Sequence, residues 1–474
     1  MLFNSYIFVL AFLPLILLLW WNRRITTSVR LGLLTFGSYL FYGWWDYRFV
    51  GLLVVSTVID FYVGGRIHDA HKSSARRSWL SLSLLSNLGL LAFFKYSGFF
   101  AASLNSVAGW LRVGGEMPVP EVILPIGISF YTFQTLSYSI DIYRRDAEPA
   151  ESIWHFAAYV SLFPQLIAGP IVRYREMDQQ LRSVDNRVNW SRFLHGILFF
   201  VIGMVQKVLL ADTIAERINP LFADYQSLQL CGAWFAMLGY TCQLYFDFCG
   251  YSNMAVGLGR MLGFEFPQNF DSPYKSANIA EFWRRWHMTL SFFLRDYLFI
   301  PLGGSRYGQW LTLRNLTVVM FLGGLWHGAG WTFVVWGLFH GLMLVIHSVA
   351  GTAGTIRLPH VVNVAITFVF VVVGWTIFRS TDMAMCFSLL SSMSCFNGLE
   401  SDVVNSVGGI KSIAVLAGLL AIVFLVPNIW QLQNQSWWRR LPATEYWAAA
   451  TLSMVFVICV LRFDADSPFL YFQF

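Results

Sequence analysis

The amino-acid sequence predicts an all-α, polytopic membrane protein, and three observations support this fold class. Of the 474 residues, 57% are hydrophobic and only 12% are charged, whereas soluble domains carry about 25% charged residues. Apolar runs of roughly 17–25 residues recur along the chain, long enough for a helix to cross the hydrocarbon core of a bilayer. These runs are continuous rather than alternating with polar residues, which favours helices over a membrane β-barrel.

The first half of the chain contains a series of apolar segments separated by polar links. We expect residues 2–21 to be a retained first span, because the basic region and the small-residue cleavage site of a signal peptide are missing. Residues 155–170 are short and interrupted by Pro164 and Pro170, so a re-entrant or interfacial hairpin is expected there. The other spans predicted up to residue 260 are 31–45, 49–65, 80–104, 123–142, 193–213 and 232–260.

Beyond residue 260 the sequence changes character and then becomes apolar again. Residues 260–314 combine basic side chains with many aromatic ones. The total is about eleven spans plus re-entrant pieces. Because no internal repeat or soluble segment is evident, we expect residues 1–474 to form a single membrane-embedded domain. The spans predicted in this half are 311–326, 331–349, 361–378, 412–427 and 446–461.

Basic residues are concentrated in particular links, and this predicts the orientation of the chain. Cytoplasmic links of membrane proteins are enriched in Lys and Arg. The arginine-rich links 23–30, 66–77 and 173–192 are therefore expected inside, and the N-terminus outside. The chain has a net charge of +6, and its basic residues fall in such links, where they meet anionic lipid headgroups. The positive charge therefore does not indicate nucleic-acid binding.

His327 is the most informative single residue, because apolar sequence continues on both sides of it. Ionisable groups at membrane depth are costly and are by default functional. A helix that begins near Arg314 would place His327 roughly 20 Å along its axis, inside a hydrocarbon core about 30 Å thick. The ring could serve as a general base. Alternatively, it is hydrogen-bonded across helices, and the glycines around it serve close helix packing.

A second histidine, His287, lies where bulky aromatic residues meet clustered charge. On a helical wheel of residues 282–297 it sits at the edge of an aromatic arc. One interpretation is an interfacial amphipathic helix with an aromatic anchor. The other places the ring at a cytoplasmic mouth, where Arg284, Arg285 and Arg295 could hold phosphates. An acyl-CoA donor would suit such a mouth.

Other ionisable residues within apolar segments are further candidates. Asp247 is the strongest of them, and we favour a structural ion pair or hydrogen bond for it over a catalytic role. His340 and His347 share a helix face, but no further ligand accompanies them, so no metal site is predicted. The sequence has no Walker A, HExxH or GxSxG motif, which argues against an ATP-driven pump, a zinc protease and an α/β-hydrolase. The remaining candidates are Asp60, Lys95 and Asp141.

A series of short motifs occurs in order along the chain. They are LPIGISFYTFQ at 124–134, IDIYR at 140–144, AGP at 168–170, YFDFCGYS at 245–252, NFDSPY at 269–274, FWRRWH at 282–287, RDYL at 295–298, IPLGG at 300–304 and LWHGAGW at 325–331. This order, which covers about residues 1–380, resembles that of the membrane-bound O-acyltransferase family. The similarity is greatest to its bacterial branch that O-acetylates exopolysaccharides such as alginate and cellulose.

The resemblance implies a helical fold with a central tunnel between the two membrane faces and a motif-bearing core at about residues 120–350. The family's histidine falls on His327, and its second polar position falls on His287. We expect Asp247, Trp326 and Gly328 to support these two rings, and Arg284, Arg285 and Arg295 to bind the donor.

Two positions depart from the family pattern Phe-Ser-Gly-Tyr-Ser-Asp. Cys249 stands in place of the serine and Asn253 in place of the aspartate. The second difference puts a carboxylate role at position 253 in doubt, but it leaves the acyltransferase assignment intact.

The resemblance also implies a reaction. We expect a membrane O-acetyltransferase that passes an acetyl group from cytoplasmic acetyl-CoA through the tunnel to a periplasmic acceptor, with no bound cofactor or metal. The expected location is a bacterial inner membrane, with a periplasmic N-terminus. Expected partners are a periplasmic acetyltransferase and a polysaccharide synthesis or export complex. The alternatives are D-alanyl transfer from a carrier protein to teichoic acid, and a transport or export subunit without chemistry.

Overall fold

The structure of the protein is a computed structural model. It describes residues 1–112, 114–115, 117–185, 187–353, 358–433, 446–463 and 469–470. Within these ranges the chain forms helices joined by turns and short extended links, and no β-strand occurs. The prediction of an all-α protein is therefore confirmed.

The contacts between residues divide the chain into two compact units. Unit 1 comprises Met1–Phe200 and Met254–Pro267, and unit 2 comprises Val201–Asn253 and Gln268–Phe474. The prediction of a single membrane-embedded domain stays a prediction. The helices that begin in unit 1 are α1 (Leu13–Trp20), α2 (Thr27–Gly43), α3 (Arg48–Asp69), α4 (Ser73–Trp110), α5 (Ile128–Arg144), α6 (Ile153–Ser161), α7 (Phe163–Leu166), α8 (Tyr174–Arg182) and α9 (Trp190–Met204).

The helices of unit 2 follow. In the described part of the chain, π-helical turns occur at Phe8–Phe12, Val205–Ala211 and Arg295–Phe299. The α11 helix begins in unit 2 and ends in unit 1. In chain order the remaining helices are α10 (Asp212–Ala223), α11 (Leu230–Leu262), α12 (Ile279–Arg285), α13 (Met288–Leu294), α14 (Gln309–His327), α15 (Trp331–Ala353), α16 (His360–Arg379), α17 (Met383–Met393), α18 (Val403–Ser406), α19 (Ile410–Leu425), α20 (Ile429–Gln433) and α21 (Tyr446–Leu461).

Five of the described helical segments are long and apolar enough to cross a membrane. Four shorter apolar segments, of 10–17 residues, accompany them. This pattern is that of a multi-pass membrane protein, whereas the number of crossings, about eleven, stays a prediction. The five long segments are Arg48–Asp69, Ser73–Trp110, Trp190–Ala223, Trp331–Ala350 and His360–Arg379.

The prediction of a re-entrant or interfacial hairpin at residues 155–170 can be compared directly with the structure. The segment 155–170 is broken at Leu162 into the short helices α6 and α7, and its side chains are buried. Backbone of this kind is tolerated at membrane depth only where protein surrounds it.

The continuous helix predicted over 282–297 is wrong. The chain ends α12 at Arg285 and begins α13 at Met288, and His287 between them adopts the left-handed conformation with φ of 43°. This conformation is uncommon for a residue with a side chain, so the surrounding contacts must hold it. The helix that leads to His327 also begins earlier than expected, at Gln309 rather than near Arg314.

The interior of unit 1 contains a hydrogen-bonded polar cluster centred on Asp60 of α3. Ser83 Oγ donates to Asp60 Oδ1 at 2.6 Å, and Asn87 Nδ2 donates to Oδ1 and Oδ2 at 3.0 and 2.8 Å. Thr135 of α5 in turn donates to Asn87 Oδ1 at 2.9 Å. Because a buried polar group is costly unless it is hydrogen-bonded, this cluster joins α3, α4 and α5 at one defined register.

Glycines bring α14 and α15 of unit 2 into backbone contact. A Cβ atom added to Gly324 would lie 2.4 Å from the carbonyl oxygen of Phe333, and one added to Gly337 would lie 2.5 Å from that of Met320. Small residues at such positions allow membrane helices to approach closely. The contact fixes the end of α14, where His327 is the last residue.

Candidate active site

A cavity of about 290 Å³ lies within unit 2, lined by side chains from α12, α13, the Arg295–Phe299 turn, α14 and α15. His327 lines it together with Arg284 and Arg295, two of the three arginines predicted to bind a donor. Most of the other lining side chains are apolar. They include Trp283, Leu290, Phe292, Leu294, Phe299, Leu316, Val319, Met320, Trp336 and Leu344. An apolar cavity with a few converging polar groups is typical of a ligand-binding site.

Three aromatic rings hold the His327 side chain, which is 5% exposed. The ring centroids of Trp326, Trp336 and Phe378 lie 4.9, 5.0 and 5.3 Å from that of His327, and each ring is close to perpendicular to the imidazole. Edge-to-face packing of this kind is the favoured geometry for aromatic pairs. The ring is therefore held in a defined orientation at the cavity wall.

Two neighbouring glycines on α14 serve different purposes. Gly324 makes the backbone contact with α15, whereas Gly323 lines the cavity, and a Cβ atom added to it would be in ordinary contact with Leu294 at 3.5 Å. The glycines therefore serve both helix packing and space for a ligand. Gly328, predicted as a supporting residue, has no room for a side chain, since an added Cβ atom would lie 2.1 Å from the ring of Phe333.

The two cavity arginines differ in their partners. Arg295 Nε donates to the carboxylate of its neighbour Asp296 at 2.7 Å, and its guanidinium lies over the ring of Phe292 at 4.9 Å. Arg284 is exposed, and it forms no ion pair with any residue that the structure describes. Its charge is therefore available to an anionic ligand, for which a guanidinium is a strong partner.

His287 is fully buried and does not line the cavity. Its Nδ1 lies 3.1 Å from Asn269 Oδ1, which also accepts from Thr289 Oγ1 at 2.9 Å. The backbone N–H of Thr289 donates to the same oxygen at 3.3 Å, and because an N–H can only donate, this contact identifies Oδ1 as the accepting end of the amide. His287 Nδ1 therefore carries the proton, and Nε2 is the basic nitrogen.

One aromatic ring connects the two predicted catalytic histidines. The Trp326 centroid lies 6.1 Å from that of His287 and 4.9 Å from that of His327. The structure thus brings His287, Trp326 and His327 into one row of contacting rings. Further aromatic rings contact His287, among them Phe248 with a centroid distance of 4.8 Å.

Two other predicted site residues lie in ion pairs away from the cavity lining. Asp247 binds Lys207 Nζ at 2.7 Å and accepts from the backbone N–H of Leu470 at 2.9 Å. Lys207 also binds Asp212 at 2.8 Å. Arg285, the third arginine, binds Glu281 at 2.7 Å, one helical turn earlier. These contacts have the form of structural ion pairs.

Sequence reasoning missed two tryptophans that build the cavity wall. Trp283 and Trp336 both line the cavity, and their ring centroids are 5.7 Å apart. Trp336 lies between two histidines, 5.0 Å from His327 and 4.9 Å from His340. The only signal was the aromatic residue itself, and the chain contains 20 tryptophans, so composition could not single these out.

Comparison with known proteins bears on this site. The model of the membrane-bound O-acyltransferase family matches residues 123–391, and this range includes every residue that lines the cavity. A probable alginate O-acetylase of Pseudomonas putida, AlgI, is 38% identical to this chain, and the alignment covers all of both. A peptidoglycan O-acetyltransferase of Helicobacter pylori is 38% identical over 84% of this chain and 81% of its own.

A more distant relative is a teichoic acid D-alanyltransferase of Streptococcus thermophilus. It is 31% identical over 47% of this chain and 56% of its own length. The family predicted from the motifs is confirmed by these matches. This helical protein, with a histidine held at the wall of an arginine-bearing cavity, belongs to the membrane-bound O-acyltransferase family and is an acyltransferase.

Proposed function

We propose that the protein is a membrane O-acetyltransferase that passes an acetyl group from cytoplasmic acetyl-CoA to a periplasmic acceptor for exopolysaccharide O-acetylation. The observation that carries the proposal is the cavity that His327 shares with Arg284 and Arg295. The similarity to alginate O-acetylases over the full chain supports the acetyl group and the polysaccharide class. The alternative reaction, D-alanyl transfer from a carrier protein to teichoic acid, has less support, because the match to a D-alanyltransferase covers a shorter part of the chain.

Donor binding follows from the charges at the cavity. Acetyl-CoA carries phosphates at one end and a thioester at the other. Arg284, whose guanidinium forms no ion pair with a described residue, and Arg295 bind the phosphates through charge-assisted hydrogen bonds. The apolar lining accepts the uncharged acyl end, and it excludes water that would hydrolyse the thioester.

His327 acts as the general base in the acyl transfer. Its imidazole takes the proton of the acceptor hydroxyl while the hydroxyl oxygen forms a bond to the thioester carbonyl carbon. The carbon–sulfur bond then breaks, and the thiolate of CoA leaves with the proton that the imidazole held. A thioester is already activated, so one base and correct placement of the two reactants suffice.

His287 and Asp247 have positioning roles in this proposal. His287 acts through Trp326, whose ring contacts both imidazoles. Asp247 fixes Lys207 on one side and the backbone at Leu470 on the other. No metal takes part. The donor enters from the cytoplasm, the N-terminus is periplasmic in a bacterial inner membrane, and the acceptor belongs to a periplasmic partner of the polysaccharide machinery.

Turnover of radiolabelled acetyl-CoA by the purified, full-length protein tests the proposal. His327→Ala should reduce acetyl transfer by a factor of about 10²–10⁴, the usual contribution of a general base. His347→Ala is the matched control, because this exposed histidine lies on the neighbouring α15. Equal transfer by the His327→Ala and native proteins, at equal amounts of folded purified protein, would contradict the proposed mechanism.

The donor site is tested by a pair of adjacent arginines. Arg284→Gln should raise the KM for acetyl-CoA by about tenfold, because it removes a charge-assisted contact to phosphate. Arg285→Gln should leave this KM close to the native value, because Arg285 binds Glu281 instead. Turnover of a D-alanyl carrier protein in place of acetyl-CoA would favour the alternative reaction, and equal effects of the two substitutions would contradict the donor site.

A further inference from the structure

A second cavity, in unit 1, has a basic lining. Its volume is about 400 Å³. Three arginines, Arg187, Arg192 and Arg260, line it together with two carboxylates, Asp185 and Glu265, so the charged lining residues carry a net charge of +1. A cavity of this size and sign could hold a small anion with an organic group attached.

One carboxylate is shared between two of these arginines. Glu265 Oε1 lies 3.2 Å from Arg192 Nε, and Glu265 Oε2 lies 3.3 Å from Arg260 Nε. Arg260 is 9% exposed, and its guanidinium lies over the ring of Phe199 at 4.2 Å. Glu265 therefore holds the guanidinium groups of Arg192 and Arg260 close together in the cavity lining.

The third arginine of the lining, Arg187, differs from these two in its contacts. Arg187 is exposed, and its guanidinium forms no ion pair with a described residue. Its contact with Asp185 is through the backbone, where the N–H of Arg187 donates to Asp185 Oδ1 at 3.0 Å. The buried Arg30 donates to the backbone carbonyl oxygens of Asp185 and Asn22, at 3.3 and 3.2 Å. Its charge adds to the positive potential at the cavity.

The cavity lies at the ends of three apolar helices. α1 ends at Trp20, α9 begins at Trp190, and α11 ends at Leu262. Because α9 opens the long apolar segment Trp190–Ala223, its first residue is expected at the level of the lipid headgroups. Trp21 lines the cavity and donates to the Met261 carbonyl at 3.0 Å, and tryptophan is enriched at this level of a membrane.

We propose that this cavity binds the phosphate group of an anionic phospholipid. Guanidinium groups bind phosphate through paired, charge-assisted hydrogen bonds. The N-terminus of α9, capped by Asn189 Oδ1 on the Arg192 N–H at 3.1 Å, adds a partial positive charge. The phosphate lies among Arg187, Arg192 and Arg260, and the acyl chains extend from it along the apolar helices. This site is separate from the acyl-transfer cavity and does not depend on the proposed reaction.

Binding of short-chain lipids to the full-length protein in a neutral detergent tests the proposal. Dihexanoyl-phosphatidylglycerol and dihexanoyl-phosphatidylcholine have the same chains and differ in net headgroup charge. Titration followed by native mass spectrometry should show binding of the first lipid at least about tenfold tighter than that of the second. The difference should shrink as ionic strength rises, since the exposed Arg187 is screened by salt.

Arg187→Gln should weaken binding of the anionic lipid by about tenfold, and it leaves every ion pair of the cavity in place. Arg187→Gln combined with Arg192→Gln should weaken it further. The control is Arg23→Gln combined with Arg24→Gln, because these exposed arginines do not line the cavity. Equal binding of the two lipids overturns the proposal. It is also overturned if Arg187→Gln binds like the control, or if ADP or inorganic phosphate binds while the lipid does not.

Discussion

Asp60 in unit 1 and His327 in unit 2 are both buried ionisable residues on apolar helices, but their surroundings are opposite in kind. The Asp60 carboxylate accepts hydrogen bonds from Ser83 and Asn87 of α4, and Thr135 of α5 extends this polar cluster. The His327 ring is surrounded by aromatic rings and lines a cavity. A closed hydrogen-bond cluster stabilises the fold, whereas a ring at a cavity wall can meet a substrate. Position within an apolar run does not distinguish the two.

Replacing Asp60 should give the largest loss of stability. Asp60→Ala leaves the buried Ser83 hydroxyl and Asn87 amide without their acceptor, and each such group costs about 1–3 kcal/mol. Thermal unfolding in detergent should therefore show a clearly lower melting temperature, with acetyl transfer per folded molecule unchanged. Asp69→Ala, at the exposed end of the same helix, is the control. A loss of transfer without a loss of stability would reverse the roles assigned to Asp60 and His327.

Substitution of Gly323 and of Gly324, two neighbouring residues of α14, should separate the effect of helix packing from the effect of catalysis. Gly324→Ala places a Cβ atom 2.4 Å from a backbone oxygen of α15, and overpacking of this kind typically costs about 1–3 kcal/mol. Gly323→Ala should fold normally, because its Cβ atom would meet only a leucine methyl group at 3.5 Å. Unfolding and acetyl transfer, measured on both variants, check this expectation. If Gly323→Ala is the less stable protein, the assignment of the helix contact is wrong.

The smallest expected effect concerns a carboxylate in a loop of unit 2. Glu400 accepts from the backbone N–H groups of Cys231 and Gly232, at 2.9 and 2.7 Å, at the start of α11. Partial burial raises the pKa of Glu400, but the hydrogen bonds from Gly232 and Cys231 outweigh it and hold the pKa below its usual value of 4.5. A lowered pKa in the folded state stabilises the protein above pH 4.5, and this stability is lost as the pH falls through the lowered pKa.

Glu400→Gln should therefore reduce the acid dependence of unfolding between about pH 5 and pH 3. At neutral pH it should cost about 1 kcal/mol or less, as the loss of a helix-capping contact does. Acetyl transfer should not change. An unchanged pH profile of the melting temperature would show that the carboxylate contributes no more than a neutral acceptor.

Local sequence patterns predicted the helices well, because long apolar runs have few ways to satisfy their backbone groups in a membrane. The end of α14 at His327 and the break at Leu162 both lie where glycine or proline punctuates such a run. The geometry at His287 could not be predicted in this way. Its left-handed backbone interrupts the expected helix, and Asn269, 18 residues earlier, binds its ring.

The candidate site was predictable as a set of residues but not as an arrangement. Arg284 and Arg285 are adjacent and chemically identical, yet one lines the cavity and the other binds Glu281. The partner of Asp247 is Lys207, 40 positions away in the chain. Contacts of this kind depend on how helices pack, and no local pattern in one sequence contains that information.

The place of His327 as the last residue of α14 has an electrostatic consequence for proton transfer. The final carbonyl groups of a helix lack intrahelical donors and carry the equivalent of about half a negative charge. An imidazolium that forms beside this end is stabilised by roughly 0.3–2 kcal/mol. The described lining of the cavity includes no carboxylate, so the end of α14 is a source of negative potential beside the ring that takes up the proton.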